Sequence, residues 1–159
     1  MMTNAAGKLG IGIIGAGWFG ERHAEAIAAL DDVRLVAAAR TDPAALADFT
    51  ARYGGRGYSD YTDLLADPAV DAVVIATPHH LHTAPVEAAA RAGKHILLEK
   101  PMAPTLAECD RIIEIAAEAG ITLMLGHTSQ FAPAYRLAKE MLDAGEVGDL
   151  VLGISTMSK

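Results

Sequence analysis

Short apolar runs punctuate the chain at residues 9–14 (LGIGII), 34–39 (RLVAAA), 71–76 (DAVVIA), 95–99 (HILLE) and 121–126 (ITLMLG). Each is apolar on both parities instead of alternating, which suits strands of a parallel sheet covered on both faces. Between them lie alanine-rich stretches with helical spacing. Residues 19–30 place Phe19, His23, Ala26, Ile27 and Leu30 on one stripe. Residues 81–93, 104–120 and 132–145 each end on a glycine, the residue favoured just past a helix. In 104–120, Thr105 and Glu108 stand at capping-box spacing ahead of Ile112, Ile113 and Ala116. Residues 54–70 are turn-rich and predict a short helix around 61–65.

Strand alternating with helix is the signature of βαβ units. The pattern therefore predicts an α/β protein with a doubly wound, mostly parallel sheet over residues 1–148. The tail, DLVLGISTMSK at 149–159, has strand character and is expected to open the first strand of a further domain.

Composition narrows the function classes. The chain has 159 residues, 52% of them hydrophobic and 21% charged, enough apolar material for an ordinary core. The net charge of -7 argues against nucleic acid and anionic membranes as partners, since both favour basic patches. Cys109 is the sole cysteine, so no disulfide within the chain is available. The opening MMTNAAGKLG lacks the apolar stretch of a signal peptide, and no uninterrupted apolar window is long enough for a membrane span. A cytoplasmic protein is the expectation.

The first apolar run leads into GAGWFG, with Gly15, Gly17 and Gly20 in the G-x-G-x-x-G spacing. That spacing is weak alone, but here it follows a strand and opens a helix, the context of a Rossmann dinucleotide site. Gly15 permits the tight turn, Gly17 lets the backbone approach a pyrophosphate, and Gly20 lets the helix pack on the strand. Ala16, Trp18 and Phe19 belong to the same loop, and the pyrophosphate would rest on the helix N-terminus. About 20 residues further on, an acidic residue would bind a ribose 2′-hydroxyl. Arg40 and Thr41 stand there instead, and a guanidinium can pair with a 2′-phosphate, so NADP is expected over NAD. Asp42 competes as a carboxylate, but Asp42-Pro43 has the form of a helix cap with proline at the first helical position.

Two further stretches lie where strands end, the edge at which doubly wound sheets bind ligands. In ATPHHLH, residues 76–82, Thr77, Pro78, His79 and His82 are candidates to line the cofactor site. His79 and His82 could equally serve as cap or packing residues. His79, His80 and His82 lack the spacing and the Cys or carboxylate partners of a zinc site, so no metal is expected. His23 and His95 read as structural, and His127 as a residue that could face the site. In HILLEKP, Glu99 and Lys100 follow the strand directly and Pro101 closes the run. Glu99 suits tying down the loop, and Lys100 could be an exposed turn lysine or a group delivered to the site.

These segments, in this order, resemble the Gfo/Idh/MocA family of oxidoreductases. The matching stretches are GIIGAGWFGERHAEAI (12–27), ATPHHLH, AGKHILLEKPMAPTLAE (92–108), and GHTSQFAPAY with LDAGEVGDL (126–135 and 142–150). The Glu-Lys-Pro block is the most specific. The resemblance implies nicotinamide-dependent hydride transfer on a sugar, cyclitol or related polyhydroxy substrate, with NADP(H) the expected cofactor from Arg40 and Thr41. It implies that Lys100 is catalytic beside the nicotinamide, with Glu99 near the cofactor and a cis Lys100-Pro101 peptide. It also implies a second, α+β domain that completes the substrate pocket, supplies an Asp and a His used with the lysine, and makes a homo-oligomer interface. Residues 149–159 would be the start of that domain, whose Asp–His pair has no counterpart in these 159 residues. This sequence departs at His79, where many members have Asn, and at Gln130, where many have Arg. The alternative is a stand-alone, non-catalytic dinucleotide-binding or interaction module.

Overall fold

The computed structural model describes residues 7–154 and Thr156, so the extremes of both expected domains, 1–6, 155 and 157–159, lie outside the described residues. The chain forms two compact units, one ending at Gly126 and one opening at His127.

The first unit alternates strand and helix: β1 (Leu9–Ile14), α1 (Trp18–Ala28), β2 (Val33–Ala39), α2 (Pro43–Tyr53), β3 (Arg56–Tyr58), α3 (Tyr61–Ala66), β4 (Ala72–Ile75), α4 (Thr83–Arg91), β5 (His95–Leu98), α5 (Leu106–Glu118) and β6 (Leu123–Leu125). The strands make one six-stranded sheet in the order β3-β2-β1-β4-β5-β6, and every pairing is parallel. The doubly wound prediction holds. The chain order reverses between β1 and β4, the switch point at which such sheets open a crevice.

The apolar runs carry side chains to both faces. Ile14, Val73, Ile75, Ile96 and Leu98 pack with Leu64, Val86, Ala89 and Ile112, so α3, α4 and α5 cover one face. Ile11, Ile13, Ala38 and Val74 pack with Ala24, Ile27, Leu46 and Phe49, so α1 and α2 cover the other. Each fully buried side chain of the Phe49 or Ile13 kind stabilises the fold by about 1.5–3 kcal/mol. On the α1 side an open, mostly apolar cleft of about 310 Å³ remains over β4 and β5, lined by Val74, Leu97, Ile27 and Leu30.

Local chemistry sets the helix ends. Asp42 accepts from the N–H groups of Ala44 and Ala45 with Pro43 in the first turn, as its cap role requires. Thr105 and Glu108 form a complete capping box at α5. Gly93 and Gly120 follow their helices with positive φ. At the amino end of β4, buried Asp67 accepts from Ala69 N–H, Tyr58 hydroxyl and the Arg56 guanidinium at 2.9, 2.9 and 3.0 Å. The Ala69 N–H, then Tyr58 and the adjacent Arg56 and Lys94 charges, hold this carboxyl below the usual carboxylate range against the cost of its burial.

Three predictions need correction. The buried face of α1 is Gly20, Ala24 and Ile27, whereas Phe19 and Leu30 are exposed. In α5 the buried positions are Ile112, Ile115 and Ala116, and Ile113 faces solvent. Residues 150–154 form no strand, so the strand character of the tail is not expressed among the described residues.

The second unit contains a 3₁₀ turn at Thr128–Phe131 and an amphipathic helix, α6 (Pro133–Asp143), opened by its proline.

Candidate functional site

The carboxyl ends of β1, β2, β3 and β4 enclose a cleft of about 300 Å³ lined by Gly15, Ala16, Gly17, Arg40, Thr41, Ser59, Tyr61, Thr77, Pro78 and Leu81, with Ile14, Ala39 and Ala76 at its floor. The glycine loop is one wall. The amides of Gly15 and Ala16 donate to Ala39 carbonyl at 3.0 and 3.2 Å, which turns the chain out of the sheet. Gly15 has φ +94, and a Cβ there would come within 2.7 Å of the Ala76 backbone. A Cβ on Gly20 would lie 2.6 Å from Gly15 carbonyl oxygen. Both positions therefore exclude side chains for reasons internal to the fold.

Gly17 is different. A Cβ there would meet nothing within 4 Å, so the fold itself leaves the space open. Gly17 is also the N-cap of α1, and no side chain caps the helix, so its first-turn N–H groups remain available to an anion. Nearby, Thr77 Oγ1 is buried and has no hydrogen-bonding partner among the described residues. An open backbone cradle, an uncapped helix N-terminus and an orphaned hydroxyl in one cleft fit a dinucleotide.

Arg40 Nη1 donates to Ala16 carbonyl at 2.8 Å, and its backbone N–H donates to Tyr58 carbonyl at 3.1 Å. The guanidinium thus braces the glycine loop while keeping other donors at the cleft wall, since it carries five N–H groups in a rigid fork. Thr41 stands beside it, and Asp42 is committed to capping α2.

The structure gathers Gly15, Ala16, Gly17, Arg40, Thr41, Thr77 and Pro78 around this cleft, while Trp18, Phe19 and Gly20 form the first turn of α1. Glu99 and Lys100 follow the end of β5, where Glu99 N–H donates to Ile75 carbonyl at 2.9 Å. The Lys100-Pro101 peptide is cis. Lys100 is exposed, and its ammonium lies 5.2 Å from the centroid of the Phe19 ring. His79 sits exposed in a 3₁₀ turn (His79–Leu81) after β4.

Of its two readings, ligand contact or cap and packing residue, His82 takes the packing one. It is fully buried, with Nδ1 3.1 Å from Met102 carbonyl oxygen and Nε2 3.0 Å from Thr77 carbonyl oxygen. A side chain closed between two carbonyls packs the loops after β4 and β5 together and does not reach the cleft. Ser59, Tyr61 and Leu81 line the cleft without having been singled out. The rule that ligands gather at strand carboxyl ends would have found Ser59 had β3 been recognisable. Among the described residues no group of three or more His, Cys, Asp or Glu side chains is placed to hold a metal ion. No helix among them is long and apolar enough to cross a membrane.

The parallel sheet, its switch-point cleft and the glycine loop define a dinucleotide-binding α/β domain. Residues 9–127 match the model of the Gfo/Idh/MocA oxidoreductase family, NAD-binding Rossmann fold, and the chain belongs to that family. It is 43% identical over 117 residues to 1-carboxy-3-chloro-3,4-dihydroxycyclohexa-1,5-diene dehydrogenase of Comamonas testosteroni, covering 73% of this chain and 30% of that protein. It is 37% identical over 146 residues to inositol 2-dehydrogenase 1 of Saccharopolyspora erythraea, covering 89% and 43%. Among solved structures, scyllo-inositol dehydrogenase from Lactobacillus casei with bound NAD(H) and scyllo-inositol superposes with a TM-score of 0.83 at 32% identity, covering 89% and 43%. A putative NADPH-dependent oxidoreductase from Desulfitobacterium hafniense gives 0.85 at 32% identity, covering 93% and 42%. The chain therefore spans less than half the length of these relatives.

Proposed function

We propose that the chain is the cofactor-binding part of an NADP-preferring oxidoreductase acting on a sugar, cyclitol or related polyhydroxy compound. The observation that carries this reading is the convergence at one sheet edge of an open Gly17 cradle, the unpartnered Thr77 hydroxyl and the Arg40 fork, with Lys100 delivered at the next strand end. The names of the inositol dehydrogenases among the relatives support the substrate class. Arg40 and Thr41, where an acidic residue would suit NAD, support NADP; the solved relatives include both an NAD(H) complex and a protein described as NADPH-dependent.

The nicotinamide of a bound dinucleotide supplies hydride acceptance or donation. The protein's own residues supply the rest. Gly17 and the α1 N-terminus would hold the pyrophosphate, Thr77 would donate or accept within the cleft, and Arg40 would meet the ribose or its 2′-phosphate. Lys100 moves the proton at the substrate oxygen: its ammonium donates to a carbonyl oxygen and stabilises developing alkoxide charge, or its neutral form accepts the hydroxyl proton. Residues outside this chain complete the substrate pocket and the oligomer interface.

The test is Lys100→Met in the complete protein. It should abolish NADP-dependent oxidation of polyols such as myo-inositol while leaving NADPH affinity within a factor of about two, the pattern of a group used in the chemical step and not in binding. Retained turnover would refute the role of Lys100.

A further inference from the structure

Phe19 and His23 lie four residues apart on α1 and so share one helix face, one turn apart. Phe19 is exposed and His23 half-buried, beside the core positions Gly20, Ala24 and Ile27. Their face meets the loop after β5. His23 Nε2 lies 2.9 Å from Glu99 Oε1, and the two side chains are only 21% and 12% exposed. The other carboxylate oxygen, Oε2, accepts the backbone N–H of Lys100 at 3.1 Å. One turn towards the glycine loop, the Lys100 ammonium rests within cation–π range of Phe19 at 5.2 Å. One helix therefore reaches Lys100 at both ends, its main chain through Glu99 and its ammonium through Phe19.

We infer that His23 is a positioning residue for Lys100. The terminal torsion of a glutamate is soft and broad, so a carboxylate held by one oxygen can turn away. With Oε1 engaged by the imidazole, Oε2 is fixed where it receives the Lys100 amide. Hydrogen bonds to an ionised, mostly shielded carboxylate are roughly twice as strong as neutral ones, which suits this pair to the task. The helix that opens at the glycine loop thereby sets the placement of the lysine, so the cofactor cradle and the proton-transferring group share one rigid support. The inference rests on the proposed role of Lys100.

Amide hydrogen exchange, read by NMR on the complete protein, tests it. In His23→Leu, exchange at the Lys100 amide should accelerate about tenfold, the size expected for loss of one charge-assisted hydrogen bond. The amides of Ile96 and Leu98 in β5 should keep their wild-type rates. His23→Gln places a side-chain N–H donor near the same oxygen and should restore slow exchange at Lys100, which a merely space-filling role for His23 would not predict. His23→Asn is too short to reach Glu99; should the leucine variant fail to fold, it should show the same selective acceleration. Unchanged exchange at Lys100, or acceleration spread evenly along β5, would overturn the inference. Retained turnover in Lys100→Met would instead overturn the catalytic reading on which it rests, so the two failures are separable.

Discussion

Two loops at the same sheet edge are built by opposite means. The glycine loop is shaped by backbone: its turn closes on Ala39 carbonyl, and Gly15 and Gly20 leave no room for side chains. The loop that carries Glu99 to Met102 is shaped by side chains from afar, His23 holding Glu99 and His82 holding Met102 carbonyl. The first arrangement is fixed by sterics and backbone hydrogen bonds, with the Arg40 guanidinium as an added brace, and its glycines stand within six consecutive residues. The second is fixed by hydrogen bonds across 76 and 20 residues of sequence and can be dismantled one partner at a time. The contrast shows why the glycine loop is a short motif, whereas the placement of Lys100 draws on contacts between distant segments of the domain.

The largest expected effect lies in the backbone-built loop. Gly15→Ala combines a left-handed φ with a clash against the Ala76 backbone and should cost about 3–5 kcal/mol, measured by denaturant unfolding. A milder cost would mean that the loop is less constrained than its contacts imply. His82→Ala comes next, at about 2–4 kcal/mol, since it opens a cavity and abandons a buried carbonyl partner. Its signature in exchange measurements should be loosening of both the Thr77 and Met102 segments, not of the glycine loop.

Side-chain ties that carry charge should also respond to acid, which a backbone-built turn does not. Asp67 provides that comparison. Its folded carboxyl lies below the unfolded value of about 3.9, so as pH falls the unfolded chain takes up the proton first, and stability present above pH about 4 is lost below it. Asp67→Asn should cost about 1–3 kcal/mol at neutral pH and flatten the acid limb of the stability curve. Gly17→Ala should have the smallest effect on stability, within about 1 kcal/mol, because its Cβ meets nothing. It should nevertheless weaken NADPH binding by about tenfold or more, because that Cβ enters the space a pyrophosphate needs.

The difference between the loops also explains what was legible in the sequence. The glycine spacing, the apolar strands, the Asp42-Pro43 cap and the Thr105–Glu108 capping box are local and could be read directly. β3 could not, because Arg56-Gly57-Tyr58 is too short and too polar to show a strand pattern, and Ser59 at its end was hidden with it. The face of α1 was misread because Gly20 and Ala24 carry little hydrophobic signal, although packing against β1 selects them over Phe19 and Leu30. The fit of Thr77 to the cleft was visible from its place after β4, whereas the burial of His82 and the pairing of His23 with Glu99 depend on contacts between distant segments.

The most direct test of the central claim uses Trp18, the chain's sole tryptophan, exposed at the first position of α1. Its fluorescence should quench saturably as NADPH is added, more tightly than with NADH, and Arg40→Asp should reverse that order. Failure of both dinucleotides to produce a saturable change would contradict the assignment of the Gly15–Gly20 loop as a dinucleotide site.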